Sequence, residues 1–127
     1  MDTELKEVIE EIIDELDSVG QLKEFKHTPE KGLVSYHHSL GRYIRNSRNM
    51  WGSEEDTMGK WLLKEWFESK GITHPDDMSS IIILSAHRHL NNKDIKLEAQ
   101  IEHYKKYWKD MENGQIDMNN LGDIYEE

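Results

Sequence analysis

Leu5, Val8, Ile9, Ile12, Ile13, Leu16 and Val19 recur at intervals of three and four, which gathers them on one face of an α-helix and would scatter them over both faces of a strand. Asp2 or Thr3 stands where an N-cap belongs, acids fill the first turn, and Gly20 follows the last apolar residue. The same period returns further on. Thr28-Pro29 reads as the N-cap and first residue of a second unit with Leu33, His37, Leu40 and Ile44 on one face, which Gly32 and Gly41 weaken enough to split it into two short helices. Ser53, with Asp56 three residues on, opens a third helix carrying Met58, Trp61, Leu62, Leu63, Trp66 and Phe67 and closing at Lys70-Gly71.

His74-Pro75-Asp76-Asp77 starts a fourth helix, with proline near its first position and two carboxylates at the positive end of its dipole. Ile81 to Leu84 and Ala86 make it apolar almost all round, the mark of a central helix; length and capping favour this over a buried strand. After Asn91-Asn92, the residues Leu97, Ile101, Tyr104, Trp108 and Met111 form the seam of a fifth helix that ends at Asn113-Gly114. The expectation is all-α: a compact single-domain bundle of about five helices over 1–112. The acidic residues 113–127 are expected as a tail that is mobile or docks as an appendage.

Charge is spread unevenly. Residues 1–20 carry −7, residues 21–50 carry +4, residues 51–109 carry −1 and residues 110–127 carry −6. Acidic ends are the wrong sign for duplex DNA or anionic lipid, so nucleic acid and membrane are disfavoured and a basic protein is the better electrostatic match. Cysteine is absent, which excludes thiolate zinc sites and cysteine nucleophiles and fits a reducing compartment. The acidic start is unlike a signal peptide, and no apolar run approaches the ~20 residues that span a bilayer. The expected location is the cytoplasm.

Chemistry is harder to find. Seven histidines suggest metal, but His87 and His89, two apart on a helix, point in nearly opposite directions, and His37 and His38 also diverge. No metal and no cofactor are expected. Arg42, Arg45 and Arg48 lie on a polar stripe, which reads as a solvated face, a small-anion or nucleic-acid contact, or a structural pairing of Arg45-Asn46 with Asp76 or Asp77; nucleic-acid binding through the three arginines is the weakest of the functional readings. Arg45-Asn46 begins like the Arg-Asn…His signature of helical ribonucleases of the HEPN type, but Ser47 to Gly52 contains no histidine. Nucleophile-elbow, P-loop and dinucleotide-binding glycine patterns are missing as well, so no catalytic residue is assigned and the reading leans away from an enzyme.

His38, Gly41, Ile44-Arg45-Asn46, Trp51, Gly71-Ile72, His74-Pro75-Asp76-Asp77-Met78-Ser79, Ile81-Ile82, His87-Arg88, Leu90-Asn91, Tyr104 and Trp108 together make a pattern. Over residues 36–108 it resembles a family of small uncharacterised bacterial and phage-associated proteins classed as a domain of unknown function. The resemblance implies a recurring helical module and brings no activity with it; the acidic first helix and the tail fall outside it. The leading expectation is a small acidic interaction protein, an inhibitor, immunity protein or regulator that meets a basic partner through Glu7, Glu11 and Asp14. The alternative is an enzyme or ligand-binding module, with or without a metal, whose interhelical cleft holds Arg45, His74, Asp77 and His87. Arg42, Asn46 and Asp76 complete that candidate polar cluster, as ligand contacts or as structural ones.

Overall fold

The computed structural model describes residues 3–47, 58–114 and 124–125, with side chains for all of these except 3, 4, 47 and 58–62. The helices are α1 (Thr3–Ser18), α2 (Leu22–His27), α3 (Arg42–Ser47), α4 (Met58–Ser69), α5 (Pro75–Leu90) and α6 (Leu97–Glu112). A 3₁₀ segment, Glu30–Tyr36, and a π segment, His37–Gly41, lead into α3. No strand occurs among the described residues, and the fold is a compact all-α one. No described helix is long and apolar enough to cross a membrane.

α5 is the axis. Met78, Ile81, Ile82, Ile83, Leu84 and Ala86 are all buried, and α1, α2, the 3₁₀ and π segments, α3 and α6 pack around them. Each fully buried isoleucine or leucine contributes about 1.5–3 kcal/mol of transfer free energy, so this one helix organises the core. α1 adds Leu5, Val8, Ile9, Ile12 and Leu16, all buried, and α4 adds Leu63 and Phe67.

Helix ends explain where the chain turns. At α1 the Gln21 amide donates to the Leu16 carbonyl at 2.9 Å and the Gly20 amide to Asp17 at 3.1 Å, with Gly20 at φ +76°. This left-handed residue closes the helix without the penalty a Cβ would bring. Asn92, at φ 56°, plays the same part after α5: Lys93 donates to the Arg88 carbonyl at 2.8 Å and Asn92 to His89 at 3.2 Å.

The stretch after Gly20 departs from expectation. Thr28 does not cap the next unit; its hydroxyl donates to the Glu24 carbonyl at 2.8 Å and finishes α2, a helix the apolar pattern leaves out. Leu22 and Phe25 are its only apolar residues, yet Phe25 is completely buried. Helical structure then resumes at Glu30 and changes pitch twice before α3, so Leu33 and Ile44 are buried while His37 and Leu40 are only half-buried. The expected helix start at Ser53-Asp56 lies outside the described residues, as do most of 113–127. Ile124 and Tyr125, by contrast, pack against the core, and the Ile124 carbonyl accepts from Arg88 Nη2 at 2.9 Å.

Candidate functional site at the start of the central helix

The first turn of α5 gathers more polar side chains than helix capping alone requires. Pro75 sits at its start, and the cap is His74, whose Nδ1 accepts the Asp76 amide at 3.1 Å. That bond fixes Nδ1 as the lone-pair nitrogen and leaves Nε2 as the N–H. Ser79 donates to the Asp76 carbonyl at 3.0 Å and accepts from Arg45 Nη1 at 2.9 Å. Arg45 Nε lies 3.4 Å from Asp76 Oδ1, so the contact expected between Arg45 and this helix start is present.

Gly41 makes room for it. A Cβ on Gly41 would stand 2.9 Å from Arg45 Nη1, so the guanidinium occupies the space that a side chain one turn earlier would take. A buried guanidinium is tolerable only where bonds replace water, and Ser79 and Asp76 supply them. His37, on the π segment, approaches Asp76 Oδ1 at 3.9 Å. Partial burial pushes its pKa below the ordinary value, the Arg45 charge adds to that, and Asp76 opposes both.

On the other side of this turn α6 closes a cleft of about 260 Å³ lined by His74, Asp76, Asp77, His103, Tyr104, Tyr107 and Trp108. Trp108 Nε1 donates to Asp77 Oδ2 at 2.7 Å, and its ring stacks on His74 with centroids 5.5 Å apart and planes 19° apart. Burial raises the Asp77 pKa; the indole bond and His74 pull it down, and Asp76 adds to the rise. The Tyr104 hydroxyl is held protonated to well above the usual range, chiefly by burial. What this arrangement can do is bind: carboxylate and imidazole edges beside aromatic faces. Among the described residues no group of three or more His, Asp or Glu side chains is placed to hold a metal ion.

The candidate polar cluster is therefore divided. Arg45, His74, Asp76 and Asp77 come together. Arg42 and Asn46 are exposed on α3, and Arg48 lies outside the described residues. His87 is elsewhere, about ten residues and 15 Å further along α5. It is buried, its Nε2 donates to the Thr28 carbonyl at 2.7 Å, and its ring meets the edge of Phe25. Among the described residues His87 Nδ1 has no hydrogen-bond partner, and His89 faces out, so the two histidines diverge.

Sequence reasoning passed over another polar centre. Arg88 donates from Nε to Glu30 Oε2 at 3.2 Å, from Nη2 to Glu30 Oε1 at 3.0 Å and from Nη1 to the Ile95 carbonyl at 2.8 Å. Lys93 adds an ammonium 3.5 Å from Glu30 Oε2. The available signal was Arg88 itself, a cation in the most apolar helix of the chain, which requires a buried partner. Glu7, Glu11 and Asp14 are all exposed on α1, on the side away from its buried apolar row.

Neither a curated protein nor a solved structure matches the chain. A family profile covers residues 3–90, so it takes in the acidic α1 and ends with α5, whereas the pattern read from the sequence spans 36–108 and leaves α1 out. The extension is physically reasonable, because α1 and α5 pack on each other and share one core. With well over half its length matched, the chain belongs to DUF6794, a domain of unknown function.

Proposed function

We propose that this is a small acidic interaction protein, an inhibitor, immunity protein or regulator that docks on a larger basic protein in the cytoplasm, in a bacterial or phage setting. One observation carries the reading: Leu5, Val8, Ile9, Ile12 and Leu16 fix α1 in the core while Glu7, Glu10, Glu11, Asp14 and Asp17 stand exposed on its outer side. A ridge held this way keeps its charges in a fixed array, which favours steering of an oppositely charged partner. A second reading, a ligand-binding module, has the cleft between the start of α5 and α6 in its favour. Its residues are His74, Asp77 and Trp108, without His87.

The test is retention of host proteins on immobilised protein at low and high salt, comparing the native chain with Glu7→Gln/Glu11→Gln/Asp14→Asn. A partner whose association rate falls roughly tenfold or more between about 50 mM and 500 mM salt, and falls again in the charge-reduced form, is the expected result. A partner indifferent to both changes would remove the ridge from the account.

A further inference from the structure

Beside the acidic ridge the surface opens into a groove of about 420 Å³ with mainly apolar walls. One wall is the end of α1, with Glu15, Leu16 and Val19; the other is Tyr36, Ser39, Leu40 and Tyr43 from the 3₁₀, π and α3 segments. Val19 is 65 % exposed and Tyr43 46 % exposed, so both lips of the groove present apolar surface to water. The π segment forms part of one wall. Wider turns of this kind interrupt regular helix packing and recur at functional places, and here Ser39 and Leu40 lie on that segment and line the groove.

We infer that this groove is the docking site for an amphipathic helix of a basic protein, with its apolar residues in the groove and its cationic residues against α1. The inference rests on the reading of the chain as an acidic interaction protein and adds where and how the partner sits. Charge selects the occupant. Glu15 is the one charged residue of the lining among the described residues, Glu11 lies one turn before it on the same side of α1, and Glu7 and Asp14 continue the negative flank. An apolar trough bordered by carboxylates matches a helix whose apolar residues repeat at i, i+3, i+4 and i+7 and whose flanks carry lysine or arginine. A groove of this volume takes about two or three such side chains. A second copy of this chain would bring net charge −10 toward the same ridge, and the chain's own residues 110–127 carry six acids and no base. Both are the wrong sign.

The probe is a synthetic helical peptide of about four turns with leucines at i, i+3, i+4 and i+7 and lysines elsewhere. Two controls accompany it: the same leucine pattern with glutamate for lysine, and the same composition with the leucines scattered around the helix. Amide shifts of the labelled protein locate binding, and the affinity is followed from about 50 mM to about 500 mM salt. The basic amphipathic peptide should bind saturably with shifts at Val19, Leu40 and Tyr43, at least roughly tenfold tighter than either control.

Val19→Ser/Tyr43→Ser alters two exposed side chains and should weaken binding roughly tenfold at unchanged salt dependence. Glu7→Gln/Glu11→Gln/Asp14→Asn should reduce the salt dependence instead. Equal binding of the scattered-leucine peptide, or shifts confined to other faces, overturns the groove. If the serine variant binds as tightly as the native chain while the charge-reduced one does not, the groove is wrong and the acidic-interaction reading stands. If neither variant changes binding, both fall. Concentration-dependent dimerisation abolished by the serine variant would make a second copy the occupant and likewise overturn the inference.

Discussion

Among the described residues two arginines are buried, Arg45 of α3 against the start of α5 and Arg88 near the end of α5 itself, and their surroundings differ in kind. Arg88 and Glu30 are each 1 % exposed in their side chains, joined through two parallel hydrogen bonds, with main-chain carbonyls of Ile95 and Ile124 taking further donors. Arg45 is also buried, but its carboxylate partner Asp76 has a side chain 43 % exposed and lies on the wall of an open cleft. The first arrangement ties the 3₁₀ segment, α5, Ile95 beyond it and Ile124 into one body. The second leaves a carboxylate and an imidazole facing water beside aromatic rings. A sealed pair is architecture; a half-open one is where binding chemistry can occur.

The largest effect should come from breaking the sealed pair. Arg88→Met takes the guanidinium away from the buried Glu30 carboxylate and frees two main-chain carbonyls, so a loss of about 3–5 kcal/mol is expected in urea unfolding. Glu30→Gln should cost less, because Arg88 keeps its carbonyl partners and a neutral acceptor remains. Arg88→Met/Glu30→Leu should recover part of the loss of Arg88→Met alone, since it removes the buried charge. Equal stability of Arg88→Met and the native chain would erase the distinction between the two ends.

At the open end the effects should be smaller. Arg45→Ala removes a charged hydrogen bond to Ser79 and a contact to Asp76, but water can reach Asp76, so about 1.5–3 kcal/mol is expected. Gly41→Ala should destabilise in the same direction by about 1 kcal/mol, because its Cβ would displace the guanidinium. The two should not add. Once Arg45 is alanine a Cβ at residue 41 meets only Ser79 Oγ at 3.5 Å and Ile83 Cδ1 at 3.6 Å, ordinary contact distances, and Gly41→Ala should cost little or nothing, a coupling that a double-mutant cycle reads directly. Additive losses would mean that Gly41 matters for the π segment and not for Arg45.

The same contrast shows what a sequence displays and what it conceals. Period is local, so α1, α5 and α6 can be read from Leu5 to Leu16, from Ile81 to Ala86 and from Leu97 to Met111, and their ends from glycine, proline and asparagine. α2 is not legible because two apolar residues in six define no face; Phe25 is buried by tertiary packing. The 3₁₀, π and α3 segments all pack on α5, and no apolar period marks where the pitch changes between them. Of the site, Arg45 and the Asp76-Asp77 pair were visible as a costly charge near a helix start that needed one. The Trp108 bond to Asp77 was not, because residues 31 apart in the chain meet only once α6 folds back along α5. Glu30 was hidden for the same reason: it looks like any first-turn acid until Arg88 arrives beside it.

The subtlest prediction concerns Asp77, on the cleft side of the open end. Burial disfavours its charged form, and the indole bond from Trp108 offsets this only in part, so the folded pKa lies above the ordinary 3.8. The folded state then binds more protons than the unfolded state between 3.8 and the raised value, and stability must fall as pH rises through that window. Asp77→Asn keeps an oxygen for the Trp108 N–H and removes the cost of ionisation. The variant should therefore be more stable than the native chain at pH 7, by a margin that shrinks as pH falls toward 3.8, with its pH profile flatter over that range. Thermal unfolding of both proteins across a pH series measures this, and Trp108→Phe should lower the stability of the native chain more at neutral pH than in acid. A variant less stable than the native chain at pH 7 would show that the ionised carboxylate is wanted there. Asp77 would then be an electrostatic part of the fold, as the sealed Glu30 carboxylate is at the other end of α5.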